Sequence, residues 1–163
     1  MNIFILAYDP VEAAVNQCDQ HVVKMVLESA QMLCAPFPAG EAPYKRTHYN
    51  HPCTQWCRAS KENYTWLLNH ANALAAEYTY RYGKTHKSQQ VIEWCNRHKG
   101  QLSFSRRILT PFALAMPEQY KVASAVDSYR NYYINEKLGF AKWNKRRNKP
   151  TWAKMNSSQA KRI

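Results

Sequence analysis

Asp19–Leu33 reads DQHVVKMVLESAQML. The stretch has no Gly or Pro, opens on an Asp able to cap a helix, and stops before Pro36-Phe37-Pro38-Ala39-Gly40, a loop by composition. With His21 at zero and about 100° per residue, Lys24, Glu28 and Gln31 fall near 300°, 340° and 280°. Val22, Val23, Val26, Leu27, Ala30 and Leu33 fall between about 100° and 240°. The spacing therefore predicts a helix whose apolar face meets the core. The opposite stripe carries an imidazole, an amine, a carboxylate and an amide. Such a stripe is either a solvated face with a Lys24–Glu28 pair or an acid/base cluster suited to base excision or group transfer.

Outward from this helix the chain keeps reading as helical. Asn2–Ala7 is a short apolar strand or extended arm, broken at Asp9-Pro10, and Val11–Asn16 is a short helix. Ser60 can cap a second long helix in which Tyr64, Leu67, Leu68, Ala71, Leu74, Ala75 and Tyr78 recur at helical spacing and which Gly83 closes. Ser88 to about Arg97 is a shorter helix stopped by Gly100. Pro111 and Pro117 keep 101–117 extended, and Ala123–Lys137 is a further helix. The expected fold is mainly α: one compact helical domain over 1–140, with a short N-terminal extended segment and a basic tail, 141–163, packed on the same domain.

Charge points to the partner. The 163 residues include 23 Lys and Arg against 11 Asp and Glu, a formal net charge of +12. Eight of the cations lie in 141–163: Lys142, Lys145, Arg146, Arg147, Lys149, Lys154, Lys161 and Arg162, with no acid among them. Such a balance favours a polyanion, because each neutralised phosphate releases counterions. Only 4 Gly are present, and neither a GxGxxG nor a phosphate-binding loop motif occurs. Nothing reads as a membrane span or signal peptide, and the 5 Cys read as reduced cytosolic thiols. His48, His51, Cys53 and Cys57 nominally offer zinc ligands. Their spacing fits no common zinc module and reads instead as buried thiols on a helix flanked by loop histidines. No metal and no cofactor is expected.

Asp19-Gln20-His21, with Glu28 seven residues after the His, resembles the N-terminal helix of phage pyrimidine dimer DNA glycosylases of the endonuclease V type. His51–Gly83 is similar to the family's second helical segment. Pro150-Thr151-Trp152 followed by Lys154 matches its P-T-W-x-K. The resemblance implies a compact helical enzyme without cofactor that acts on DNA carrying a cyclobutane pyrimidine dimer. An N-terminal α-amine would attack the sugar C1′ and form a Schiff base. Glu28 would stabilise the developing sugar cation and assist β-elimination. An α-amine suits this task because its ordinary pKa is about 8, against about 10.4 for lysine.

The chain departs from the family at defined positions. The family removes its Met before a small residue, whereas Asn2 follows Met1 here. A retained Met1 is expected to move the attacking amine by one residue. Leu27 and Gln31 stand where the family has arginines. Met1, Asn2 and, as a substitute if desolvated, Lys24 are therefore the candidate amines, with Glu28 the carboxylate and His21 sharing its proton.

Expected DNA contacts are Gln31, His48, Asn50, His51 and Arg58, the loop residues Lys84, His86 and Lys87, Arg106 and Arg107, and Lys145, Arg146, Arg147, Trp152 and Lys154 of the tail. Damaged or modified double-stranded DNA is the expected partner of a cytoplasmic monomer. Two other readings stay open: a transferase modifying nucleotides or DNA bases in the same pocket, and a nucleic-acid-binding protein without chemistry.

Overall fold

The computed structural model describes residues 1–154, so Lys161 and Arg162 of the expected basic tail lie outside the described residues. Six α-helices carry the fold: α1 (Pro10–Asn16), α2 (Asp19–Cys34), α3 (Pro52–Ala59), α4 (Lys61–Tyr82), α5 (Gln89–His98) and α6 (Ala125–Tyr132). No strand occurs among the described residues. Asn2–Ala7 is an extended buried arm, in keeping with the second of its two expected forms.

Local chemistry sets the boundaries. The Asp9 side chain accepts from the Glu12 amide, with Pro10 opening α1. Ser60 caps α4 through the Asn63 amide, and Gly83 ends it at φ 71, a left-handed turn that costs glycine little. Asp19 does not cap α2. It is the first helical residue, Cys18 precedes it, and its carboxylate is taken by Arg81 and by the Asn144 amide.

The central helix α4 packs against α1, α2, α3 and α5. Near its C-terminal end, fully buried Arg81 donates to Glu77, Asp19 and the carbonyls of Val15 and Gln17. Arg147 reaches the same Glu77 from the tail. Removing one member of a buried ion network leaves the others unpaired, at about 3–5 kcal/mol. Arg81→Met is therefore expected to lower unfolding free energy by about that amount in denaturant titrations, whereas a loss under 1 kcal/mol would mean that water replaces the guanidinium.

The phase of α2 differs from the expectation. His21, Met25, Ser29 and Met32 are buried together with Val22, Val26, Ala30 and Leu33, while Val23 and Leu27 are exposed. The buried face is thus rotated by roughly a quarter turn toward His21. The arm supplies the reason. Phe4 lies 4.4 Å from the His21 ring, stacked on it, and Tyr133 closes from α6's end with its hydroxyl 2.6 Å from His21 Nδ1. Glu28 consequently sits on the boundary between core and solvent, with only 12% of its side chain exposed.

All five cysteines are free and buried. Cys57 Sγ lies against the Met32 carbonyl, 3.6 Å away, in the α2–α3 contact. Among the described residues no helix is long and apolar enough to cross a membrane.

Candidate active site

The site begins with the arm. Asn2 folds back on itself: its Oδ1 accepts from the Ile3 amide at 2.8 Å and the Phe4 amide at 3.1 Å, and its Nδ2 donates to the Ala115 carbonyl at 2.9 Å. Phe4 has φ 57, a left-handed conformation uncommon for an aromatic residue. The Asn2 bonds and the stack of Phe4 on His21 hold it there. Gln17 fixes the arm from α1's end by donating to the Ile3 carbonyl.

This bracket aims the first residue at α2. The Met1 amine lies 3.3 Å from Glu28 Oε1, and the Met1 side chain is 2% exposed. The second carboxylate oxygen, Oε2, is buried and has no hydrogen-bond partner among the described residues. A carboxylate with one oxygen on an amine and the other unoccupied can steady a cation and exchange protons with a reacting group. The arm is drawn in so that the Met1 amine itself meets Glu28.

The loop before α3 supplies the adjoining wall. His51 caps α3, its Nδ1 accepting from the Cys53 amide at 3.1 Å, so that in its neutral form Nε2 holds the proton. Its pKa is lowered, first by burial, then by the charge of the terminal amine and by His48, with Glu28 acting in the opposite sense. His48 has φ 47 and is exposed, as is Asn50. Arg58, in the last turn of α3, donates to the Tyr49 carbonyl and lies 3.9 Å over the Tyr49 ring, pinning the loop. Burial raises the Cys53 thiol to about 11, so beside this amine it stays protonated at neutral pH and is no competing nucleophile.

His21 is not a partner of Glu28. It faces the core, and burial, then the charges of Lys137 and Lys24, lower its pKa to about 3. Burial likewise lowers His70 to about 4. An unfolded histidine takes up a proton below about 6.5, whereas these two stay neutral when folded. Stability is therefore complete above pH 6.5 and falls as acid drives protons onto the unfolded chain. Between pH 6.5 and 5 the loss per histidine approaches about 1.4 kcal/mol per pH unit. Thermal melts across that interval are expected to show a falling midpoint; a flat profile would place both rings in solvent.

The other candidates divide. Lys24 is exposed and lacks the desolvation that a substitute nucleophile needs. Gln31 is half-buried one turn beyond Glu28 on α2. Lys84 and Lys87 are exposed, but the His86 ring is occupied: Nε2 lies 3.0 Å from the Val23 carbonyl and Nδ1 accepts from Ser88. This docks the loop on α2 and leaves His86 no free edge for a base.

In the tail, Arg147 is neutralised by Glu77, and Trp152 is no open stacking platform, because its ring meets Tyr133 edge-on and Arg130 lies over it. Trp143 is buried and bonds the Asn16 carbonyl. Lys145 and Arg146 lie over Tyr82 and Tyr80 and are exposed, as are Lys154, Arg106 and Arg107.

Sequence reasoning missed the Ala115 carbonyl and Tyr133. A backbone acceptor has no residue-type signature, and Tyr133 read as one of several helix aromatics.

A family model described as pyrimidine dimer DNA glycosylase matches residues 1–90, more than half of the chain. Comparison with curated proteins and with solved structures gives no match. The matched span contains the arm, Glu28, the His48–His51 loop and Arg58. The chain belongs to the pyrimidine dimer DNA glycosylase family.

Proposed function

We propose that this enzyme excises a pyrimidine from a dimer in double-stranded DNA, acts as a monomer, and couples excision to an AP-lyase step, with the α-amine of an unprocessed Met1 as nucleophile and Glu28 as its carboxylate. The observation that carries the reading is the 3.3 Å approach of the Met1 amine to a nearly buried Glu28, one oxygen of which has no partner among the described residues.

The unprotonated amine attacks C1′ of the damaged nucleotide. The C1′–N1 bond breaks, and its electron pair leaves with the base, which remains tethered through the dimer. The nitrogen loses a proton as the sugar ring opens to the imine. Glu28 lies where it can take the amine proton and stabilise positive charge at C1′. Loss of a C2′ proton to a base then expels the 3′-phosphate, which cleaves the strand. His51 lies near the amine, and with His48, Asn50 and Arg58 of the same loop and helix would meet the lesion strand. Gln31, Lys84, Lys87, Lys145, Arg146 and Lys154 would hold phosphates farther out.

Asn2 supports retention of Met1. Its side chain is committed to the bracket, and a chain starting at Asn2 would set the amine back by about one Cα–Cα spacing, ~3.8 Å. Borohydride trapping on irradiated duplex, with peptide mapping, tests the proposal. The expected adduct is on the Met1 nitrogen; an adduct on Lys24, or an active mature enzyme beginning at Asn2, would overturn it.

A further inference from the structure

Beyond the matched region, the loop between α5 and α6 presents a feature that the catalytic site does not use. Arg106, Arg107, Ile108 and Leu109 are consecutive and all exposed, with Ile108 61% and Leu109 47% accessible. Two adjacent large aliphatic side chains at a loop tip are unfavourable in water unless a partner covers them.

The loop is also firmly held. On one side of the tip, the Arg106 and Arg107 carbonyls accept from the Lys61 and Glu62 amides at the start of α4. On the other side, Thr110 exchanges hydrogen bonds with buried Asn63 through its amide and hydroxyl, and its carbonyl accepts from Trp56. The tip is thus a fixed projection on a pinned base.

Cations lie along one side of it, with Glu62 the acid at its base. Beside the tip, a cavity of about 590 Å³ is lined by Lys61, Lys99 and Arg107, with Tyr64 and Phe104 among the other lining residues and no carboxylate in the lining. Aliphatic side chains flanked by positive charge match one partner in particular, a duplex whose phosphates lie on both sides of an apolar base stack. The base of the tip and the amine lie toward opposite ends of one short helix: His51, whose ring senses the charge of the terminal amine, caps α3, and Lys61, bonded to the Arg106 carbonyl, follows its other end, eight helical residues or about 12 Å away.

Resting on the reading that the substrate is double-stranded DNA, we propose that Arg106–Leu109 is a duplex-opening wedge. Ile108 and Leu109 enter the base stack near the lesion, while Arg106, Arg107, Lys61 and Lys99 hold the phosphates beside it. Unstacking a base step costs a few kcal/mol, and inserted apolar side chains offset that cost by replacing the lost stacking. The wedge presents the lesion sugar to the amine.

The test compares the full-length parent with the Ile108→Ser/Leu109→Ser double variant on three probes: dimer-containing duplex, the same dimer in an unpaired bubble, and an uncleaved duplex carrying 2-aminopurine beside the lesion. The expected result is a drop of about tenfold or more in the duplex-to-bubble rate ratio, with loss of the 2-aminopurine fluorescence rise seen with the parent. Val11→Ser, an equally exposed aliphatic position on α1, is expected to keep that rise. An unaltered ratio, or a fluorescence rise that persists in the double variant, would overturn the wedge.

A parent that distorts DNA but excises nothing would refute the catalytic reading and leave the wedge standing. A parent that excises dimers with no fluorescence change would do the reverse.

Discussion

Glu28→Gln is expected to lower base excision by about 10²- to 10⁴-fold while leaving DNA affinity within a few-fold of the parent. The substitution preserves shape, so the packing of α2 against the arm survives. What is lost is charge. Glu28 Oε1 stands 3.3 Å from the Met1 amine, in a setting where only 12% of the carboxylate side chain meets solvent. A neutral amide there can neither take the amine proton nor stabilise positive charge growing at C1′, and limited access to water means that solvent cannot substitute. The unpartnered Oε2 sharpens the expectation, since a purely structural carboxylate at this burial would have both oxygens engaged. The measurement is single-turnover cleavage of irradiated duplex beside equilibrium binding of the same DNA. Parental cleavage by the Gln variant would remove Glu28 from the mechanism. Equal losses in binding and cleavage would make it a binding residue.

A chain extended by Gly-Ser before Met1 is expected to lose the borohydride adduct entirely, and strand cleavage with it. The extension converts the amine to an amide, whose nitrogen pair is delocalised and not nucleophilic. Deleting Met1 tests the same point from the other side: the new amine falls short by about 3.8 Å, and misplacements near 1 Å already cost about 10²-fold. Both variants keep Ile3–Ala7 of the arm, so circular dichroism is expected to stay near the parent, and a Gly-Ser extension at the C-terminus serves as the control. Full trapping by the N-terminally extended chain would assign the chemistry to a side-chain amine.

The two results bear on different links. The first asks what the carboxylate does, and the second asks whether this chain has exchanged removal of its Met for an arm that delivers Met1 itself. Asn2 is the residue through which sequence and site are joined, its side chain accepting from two successive amides while donating to Ala115.

Much of the helical architecture was legible because its signals are local. Ser60 and Gly83 bound α4 as their chemistry requires, and the prolines of 101–117 forbid a helix there. Other parts were not legible, for a common reason. Asp19 looks like a cap until Arg81, sixty-two residues away, claims its carboxylate. His86 and Arg147 look like DNA contacts until Val23 and Glu77 occupy them. A titratable side chain carries the same sequence signature whether its partner is phosphate or its own fold.

Local signals establish that the chain is helical, where its longest helices lie, that it is strongly cationic, and that Glu28 rides on a helix seven residues after His21, because propensity, capping and periodicity act within a few residues. Which way α2 is turned comes instead from long-range packing. Period 3.6 places side chains relative to one another but not relative to the rest of the molecule, and that phase was set by Phe4 and Tyr133 arriving from the two ends of the described chain to enclose His21. The same burial of the arm that hid the imidazole brought the Met1 amine to the carboxylate, a meeting of groups twenty-seven residues apart that no local pattern encodes.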